Sequence, residues 1–130
     1  MIDPLSIRPS VGTARSSHRP WRGGPGPPRW TGLARGNPAA QRANPRSMIG
    51  VDDRGRLMLV VVDGRQAGYS EGLGIAQTVE LMMKRLGAVE AMNLDGGGSS
   101  IMATAGTGIV NRPSDATGQR SHGNVIPVKP

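Results

Sequence analysis

The segment Arg56–Val62, RLMLVVV, is apolar at every position after its first, with Asp-Asp-Arg-Gly before it and Asp-Gly after it. A run of strand length, rich in β-branched residues and apolar on both faces, predicts a strand covered on both sides. Met48–Val51 is its expected hairpin partner across the Asp52–Gly55 turn. Whatever this chain folds into must therefore be built around a sheet, with something laid over it.

The next segment supplies that cover. Ile75, Val79, Met82 or Met83, and Leu86 recur at helical spacing, which predicts a helix over Ile75–Leu86. Glu80 and Lys84 fall at i, i+4 on its outer face. Gly87 stands where a left-handed residue ends a helix. Short strands are expected at Ala91–Leu94, at Ser100–Thr104 and Gly108–Val110 around the Ala105-Gly106 turn, and at Asn124–Val128. Strand, helix, then several strands predicts an α+β domain with a mixed sheet and one main helix. From residue 45 onward Tyr69 is the only aromatic. So small an apolar inventory predicts part of a larger, truncated domain rather than one stable alone.

The first 44 of the 130 residues have a different texture. RPWRGGPGPPRWTGLARGNP is dense in Pro, Gly and Arg and has no apolar periodicity, so a disordered basic tail is expected at 1–44 and the domain at 45–130. The net charge is +7, yet the residues after Pro45 hold nine basic and eight acidic side chains and are nearly neutral. A nucleic-acid binder acting through the Arg-rich tail, with Trp21 and Trp30 stacking on bases, is the alternative function. The confinement of the charge to the tail weighs against nucleic acid as a partner of the folded part. There is no cysteine, and hence neither a disulfide nor a Cys-based zinc site. No apolar run is long enough for a membrane span, and the first residues show no signal-peptide pattern. No motif asks for a cofactor, and the sequence leaves metal dependence open.

Three segments carry candidate chemistry. In Asn93-Leu94-Asp95-Gly96-Gly97-Gly98-Ser99-Ser100, the consecutive glycines suit a sharp bend whose amides face an anion. A glycine-rich hairpin turn with a solvated Asp95 fits the same residues. No Lys follows the glycines, so this is not a P-loop. Asp63-Gly64-Arg65 follows the apolar strand, where α/β-type sheets present functional groups. Arg65 has the fork for a phosphate, although an Asp-Gly turn with an exposed Arg is the plainer reading. Ser70 would bind a substrate oxygen or organise its turn. Gly72-Leu73-Gly74 is too short for a dinucleotide fingerprint. His18 and His122 are isolated, which gives a Ser-His-Asp arrangement little support.

In their order, NPRSMIG, LVVVDGRQAGYSEGLG, LMMKRLGAVEAMNLDGGGSS, VNRPSD and QRSHGNVIPV resemble the carboxy-terminal part of the phosphodiester glycosidase family. The resemblance implies a hydrolase that removes a sugar, such as N-acetylglucosamine, from a carbohydrate phosphodiester substrate, acting outside the cytoplasm on polymers such as exopolysaccharides. It implies site residues at Arg46, Asp63, Arg65, Ser70, Asp95, Ser99, Asn111 and Arg120. Arg46, Arg65 or Arg120 would neutralise the diester with the amides of Gly96, Gly97 and Gly98. Asp95 or Asp63 would act as acid/base or support an oxocarbenium-like sugar. Two positions depart from the family's pattern. Gly74 stands where Ser or Thr would cap the helix, and Gln119-Arg120-Ser121-His122 replaces Glu followed by Arg-Pro-Val. An inactive remnant of the family is the third reading of the sequence.

Overall fold

In the computed structural model, residues 29–31 and 38–129 are described. Two antiparallel strands, β2 (Arg46–Asp52) and β3 (Leu57–Val62), form the expected hairpin, with Val51 opposite Leu57 and Arg46 opposite Val62. Gly55, at φ +74°, takes the left-handed position of the turn. Asp52 organises that turn. Its carboxylate accepts the amides of Arg54 and Arg56 and the Arg56 guanidinium.

β4 (Ala88–Asn93) runs antiparallel to β2 on its other side, with a bulge between Val51 and Asp52. β1 (Arg29–Thr31) pairs with β4 in parallel, which makes the four-stranded mixed sheet β1-β4-β2-β3. β2 is thus an inner strand, beside β4, and every second residue of it, from Arg46 to Asp52, is buried. The run at Leu57–Val62 lies at the edge of this sheet; Leu57 is 46% exposed, and Met58 to Val62 are half-buried on both faces. Its continuous apolar pattern reflects a helix on one face and partial cover on the other.

The helix runs from Ile75 to Val79 as α2 and continues through Glu80–Arg85 with the wider π geometry. It ends where Leu86 donates to the carbonyl of Leu81, five residues back, and Gly87 at φ +73° takes the left-handed exit. Ile75, Thr78 and Met82 are its buried positions, so Thr78 takes the place expected of Val79. A buried threonine is tolerable because its hydroxyl donates to the Gly74 carbonyl at 2.9 Å. Met48, Met82, Ala88 and Ala91 form the centre, with Met58, Val60, Val62, Leu81, Met83 and Leu86 packed around it. Helix and sheet approach closely at Gly50, where a Cβ would stand 2.8 Å from the Met82 Cε and 3.0 Å from the Glu90 carbonyl.

β5 (Ala103–Thr104) and β6 (Gly108–Ile109) form a separate two-stranded ribbon. No strand forms at 124–128, where Val125 is 78% exposed; its apolar residues have no neighbouring strand edge among the described residues. Part of the stretch assigned to the tail also has structure: β1, a short helix α1 (Pro38–Gln41), and Asn44, which bridges Leu73. Proline and arginine density hid these because three or four residues leave no periodicity to read. Trp21 and the rest of 1–28 lie outside the described residues.

Candidate active site

The segment after α1 sets the geometry of the site. Pro45 restricts Asn44 to extended backbone, and Asn44 exchanges two main-chain hydrogen bonds with Leu73. Glycines from three other segments close on it. A Cβ at Gly64 would lie 2.7 Å from the Pro45 nitrogen, one at Gly72 2.3 Å from the Asn44 carbonyl, and one at Gly96 2.7 Å from the Pro45 carbonyl. Gly74 is explained in the same way. A side chain there would meet the Gln41 carbonyl at 2.5 Å, so the usual Ser or Thr cap has no room. The Gln77 side chain accepts the Gly74 amide instead.

This crossing point opens into a cavity of about 310 Å³ lined by Asn44, Pro45, Arg46, Arg65, Asp95, Gly96, Gly97, Gly98 and Arg120. Seven residues singled out from the sequence therefore meet in one place, although they come from four separate stretches of chain. The glycine bend is partly committed to the protein itself. Gly96 donates to the Asp95 carboxylate and Gly97 to the Pro45 carbonyl. Only Gly98 of the three keeps an amide without a protein partner among the described residues.

The three arginines differ. Arg46 is buried, and its guanidinium donates to the carbonyls of Leu73 and Arg42, which ties the crossing segment down. Burial lowers its pKa from the ordinary value. Arg120 donates to the Ser99 hydroxyl at 2.8 Å and pairs with Asp115 at 3.5 Å. Asp115 was not foreseen from the sequence; its carboxylate packs against Gly98, where no side chain would fit. Arg65 is exposed, and its Nε donates to the Asn44 amide oxygen at 3.0 Å.

Asp95 is held ionised. The hydrogen bond from the Ser99 hydroxyl, then that from the Gly96 amide, keep its carboxyl below the usual carboxylate range. Partial burial acts against them, and the charges of Arg120 and His122 add to them. His122, set aside in the sequence, thus lies within electrostatic reach of Asp95.

Asp63, Ser70 and Asn111 do not line the cavity. The Asp63 carboxylate accepts the Arg112 amide, the Asn111 side chain and the Tyr69 hydroxyl, so it fastens the 111–112 loop to the end of β3. Asn111 continues the clasp to the Ser100 carbonyl and the Met102 amide. The Ser70 hydroxyl donates to the Asp63 carbonyl and accepts the Gly72 amide, so it organises its turn. Tyr69 lies under the Arg112 guanidinium, 4.9 Å from ring centroid to carbon. No helix among the described residues is long and apolar enough to cross a membrane.

The chain is similar to several known proteins. The chain is 37% identical over 70 residues to N-acetylglucosamine-1-phosphodiester alpha-N-acetylglucosaminidase of Bos taurus, which covers 54% of this chain and 12% of that protein. A crystal structure from Burkholderia pseudomallei K96243, described as that of an exported protein, matches with 47% identity and a TM-score of 0.56. That match covers 60% of this chain and 15% of the solved one. The chain thus spans a small part of the length of either relative. The family model for phosphodiester glycosidases matches residues 26–129, beginning inside the stretch assigned to the tail. With four-fifths of its length matched in this way, the chain belongs to the phosphodiester glycosidase family.

Proposed function

We propose that the chain binds a phosphodiester carrying a sugar through its anomeric oxygen and hydrolyses the bond between the sugar and the phosphate. One observation carries the reading. A carboxylate held ionised, two arginine side chains and an unpaired glycine amide face a single cavity large enough for a sugar phosphate. In the proposed reaction the bond from the anomeric carbon to the phosphate oxygen breaks. Positive charge then develops on the sugar and negative charge on the departing phosphate. Asp95 faces the first, and Arg65, Arg120 and the Gly98 amide face the second. Water supplies the hydroxyl of the released sugar, and its remaining proton leaves with solvent or the phosphate. A phosphate monoester departs readily as an anion, so a carboxyl of raised pKa is not demanded as general acid. That fits the depressed pKa of Asp95.

Asp63 in this reading places the 111–112 loop and takes no part in the bond change. The activity and substrate named for the Bos taurus relative support a diester of N-acetylglucosamine 1-phosphate as the first compound to test. Incubation of the purified chain with the methyl diester of N-acetylglucosamine 1-phosphate should release free sugar. Asp95→Asn should reduce the rate by at least about 100-fold, in line with the loss of one electrostatic group at a transition state. No sugar release from the unaltered, folded chain would overturn the proposal.

A further inference from the structure

We propose that Asn44 is a positioning residue: its side-chain amide aims the Arg65 guanidinium at the diester, an inference that rests on the function proposed above. Two features of the structure point the same way. Arg65 is the only non-glycine residue among the described ones with a positive φ, at 57°. Such a backbone is costly and persists only where its surroundings impose it. Here the hydrogen bonds of Arg65 to Glu71 and of Gln66 to Ser70 hold the loop closed. The backbone thereby turns the Arg65 side chain back over the glycine bend, where its guanidinium lies against Gly97. A Cβ on Gly97 would be 3.1 to 3.3 Å from Nη1, Cζ and Nη2 alike.

Asn44 then fixes the rotation of the fork. Its Oδ1 accepts Nε–H at 3.0 Å while its Nδ2 donates to the Arg42 carbonyl at 3.2 Å. The two partners determine the amide's orientation, since a flipped amide would point a donor at Arg65 and an acceptor at a carbonyl. With Nε occupied and Gly97 beneath the plane, Nη1 and Nη2 have no other protein partner among the described residues. Arg65 lines the cavity together with Asp95. Two parallel N–H groups suit the two non-bridging oxygens of a diester. Pre-orientation reduces the freedom that substrate binding would otherwise have to remove. Asn44 itself is held by main-chain bonds to Leu73, which a side-chain substitution leaves in place.

Asn44→Ala, Asn44→Asp, Arg65→Ala and the double variant Asn44→Ala/Arg65→Ala test this. The readouts are the dissociation constant for inorganic phosphate, kcat and KM for the methyl diester, and the NMR signal of the Arg65 Nε–H group. Asn44→Ala should weaken phosphate binding about tenfold and raise KM more than it lowers kcat. Its Arg65 Nε–H signal should broaden through exchange with water. Asn44→Asp keeps the acceptor for Nε–H but turns an oxygen to the Arg42 carbonyl and sets a negative charge beside the anion, so it should keep the Arg65 signal sharp while phosphate binding stays weak. In the Arg65→Ala background, removing Asn44 should change binding by less than twofold. Independent, additive losses would overturn the proposal, as would an Arg65 signal indifferent to Asn44→Ala or one as broad in Asn44→Asp as in Asn44→Ala. If phosphate binding follows this pattern while no variant releases sugar, the hydrolase reading fails and the role of Asn44 stands. A chain that binds no phosphate removes both.

Discussion

Asp95 shows how a side chain's neighbours decide its chemistry. An aspartate in water titrates near pH 4, and here the Ser99 hydroxyl and the Gly96 amide lower that value. If the carboxylate is the essential form, kcat/KM should hold constant down to an acid limb below the ordinary aspartate range. Ser99→Ala removes the largest lowering cause, so the limb should move to higher pH; a pH–rate profile of the two proteins measures this. An acid limb above about pH 5 in the unaltered protein would assign the ionisation to another group. At this scale much was legible. Asp95, Arg65 and the glycines were marked by residue type, Arg120 by the family resemblance, and the Ser99 and Gly96 partners of Asp95 sit in its own motif. Asn44 was not, because its partner lies 21 residues away and an Asn-Pro pair reads as a boundary. The competing uses of Asp63 were equally hidden, since its donors from Asn111 and Arg112 lie 48 and 49 residues along the chain.

Elements meet here through glycines, and the sequence showed the glycines without showing what they touch. Gly72 combines φ +91° with an Asn44 carbonyl 2.3 Å from where its Cβ would be. Gly72→Ala must therefore both strain the backbone and displace the crossing segment. A loss of about 1–3 kcal/mol in unfolding free energy, together with weakened phosphate binding, is expected. Gly106→Ala, in open space, is the control and should leave both within about 0.5 kcal/mol of the parent. Equal denaturation midpoints for the two would contradict the packing described. The β2–β3 turn makes a second case. Burial works to raise the Asp52 carboxyl, but hydrogen bonds from Arg56 and Arg54 outweigh it and hold its pKa below the ordinary value. A folded-state pKa below the unfolded one adds stability above the unfolded value, and that gain disappears as pH falls through the folded value. Asp52→Ala should therefore cost about 1–3 kcal/mol at neutral pH, where two amides lose their acceptor. The difference from the parent should shrink in strong acid, as urea denaturation across pH will measure. The hairpin and the helix were legible because each repeats a pattern over many residues. The depth of Thr78 was not, because Ile75, Thr78 and Met82 share a face at i, i+3 and i+7 but a threonine does not count in an apolar pattern.

At the scale of the molecule, the sheet has a helix on one face and much less on the other. Met58, Val60 and Val62 point to the helix. By alternation Leu57, Leu59 and Val61 point away, opposite Val51, Ile49 and Ser47, and Met92 extends that face from β4. Leu57 and Met92 are each 46% exposed. The apolar run that most constrained the sequence thus turns half its side chains away from the helix, where Leu57 is open and Leu59 and Val61 are half-buried among the described residues. Its appearance as an enclosed strand was a sound reading of residue type, and what the type could not reveal was how much chain lies over each face. An apolar side chain in water contributes little to folding, whereas a contiguous patch of them promotes association. Leu57→Lys should accordingly raise the soluble, monomeric fraction in sedimentation experiments while the unfolding free energy changes by no more than about 0.5 kcal/mol. Met82→Ala, by contrast, empties a fully buried site between helix and sheet and should cost about 2–5 kcal/mol. If Leu57→Lys proved as damaging as Met82→Ala, the outer face would have to be packed as tightly as the inner one, and the one-sided architecture would be wrong.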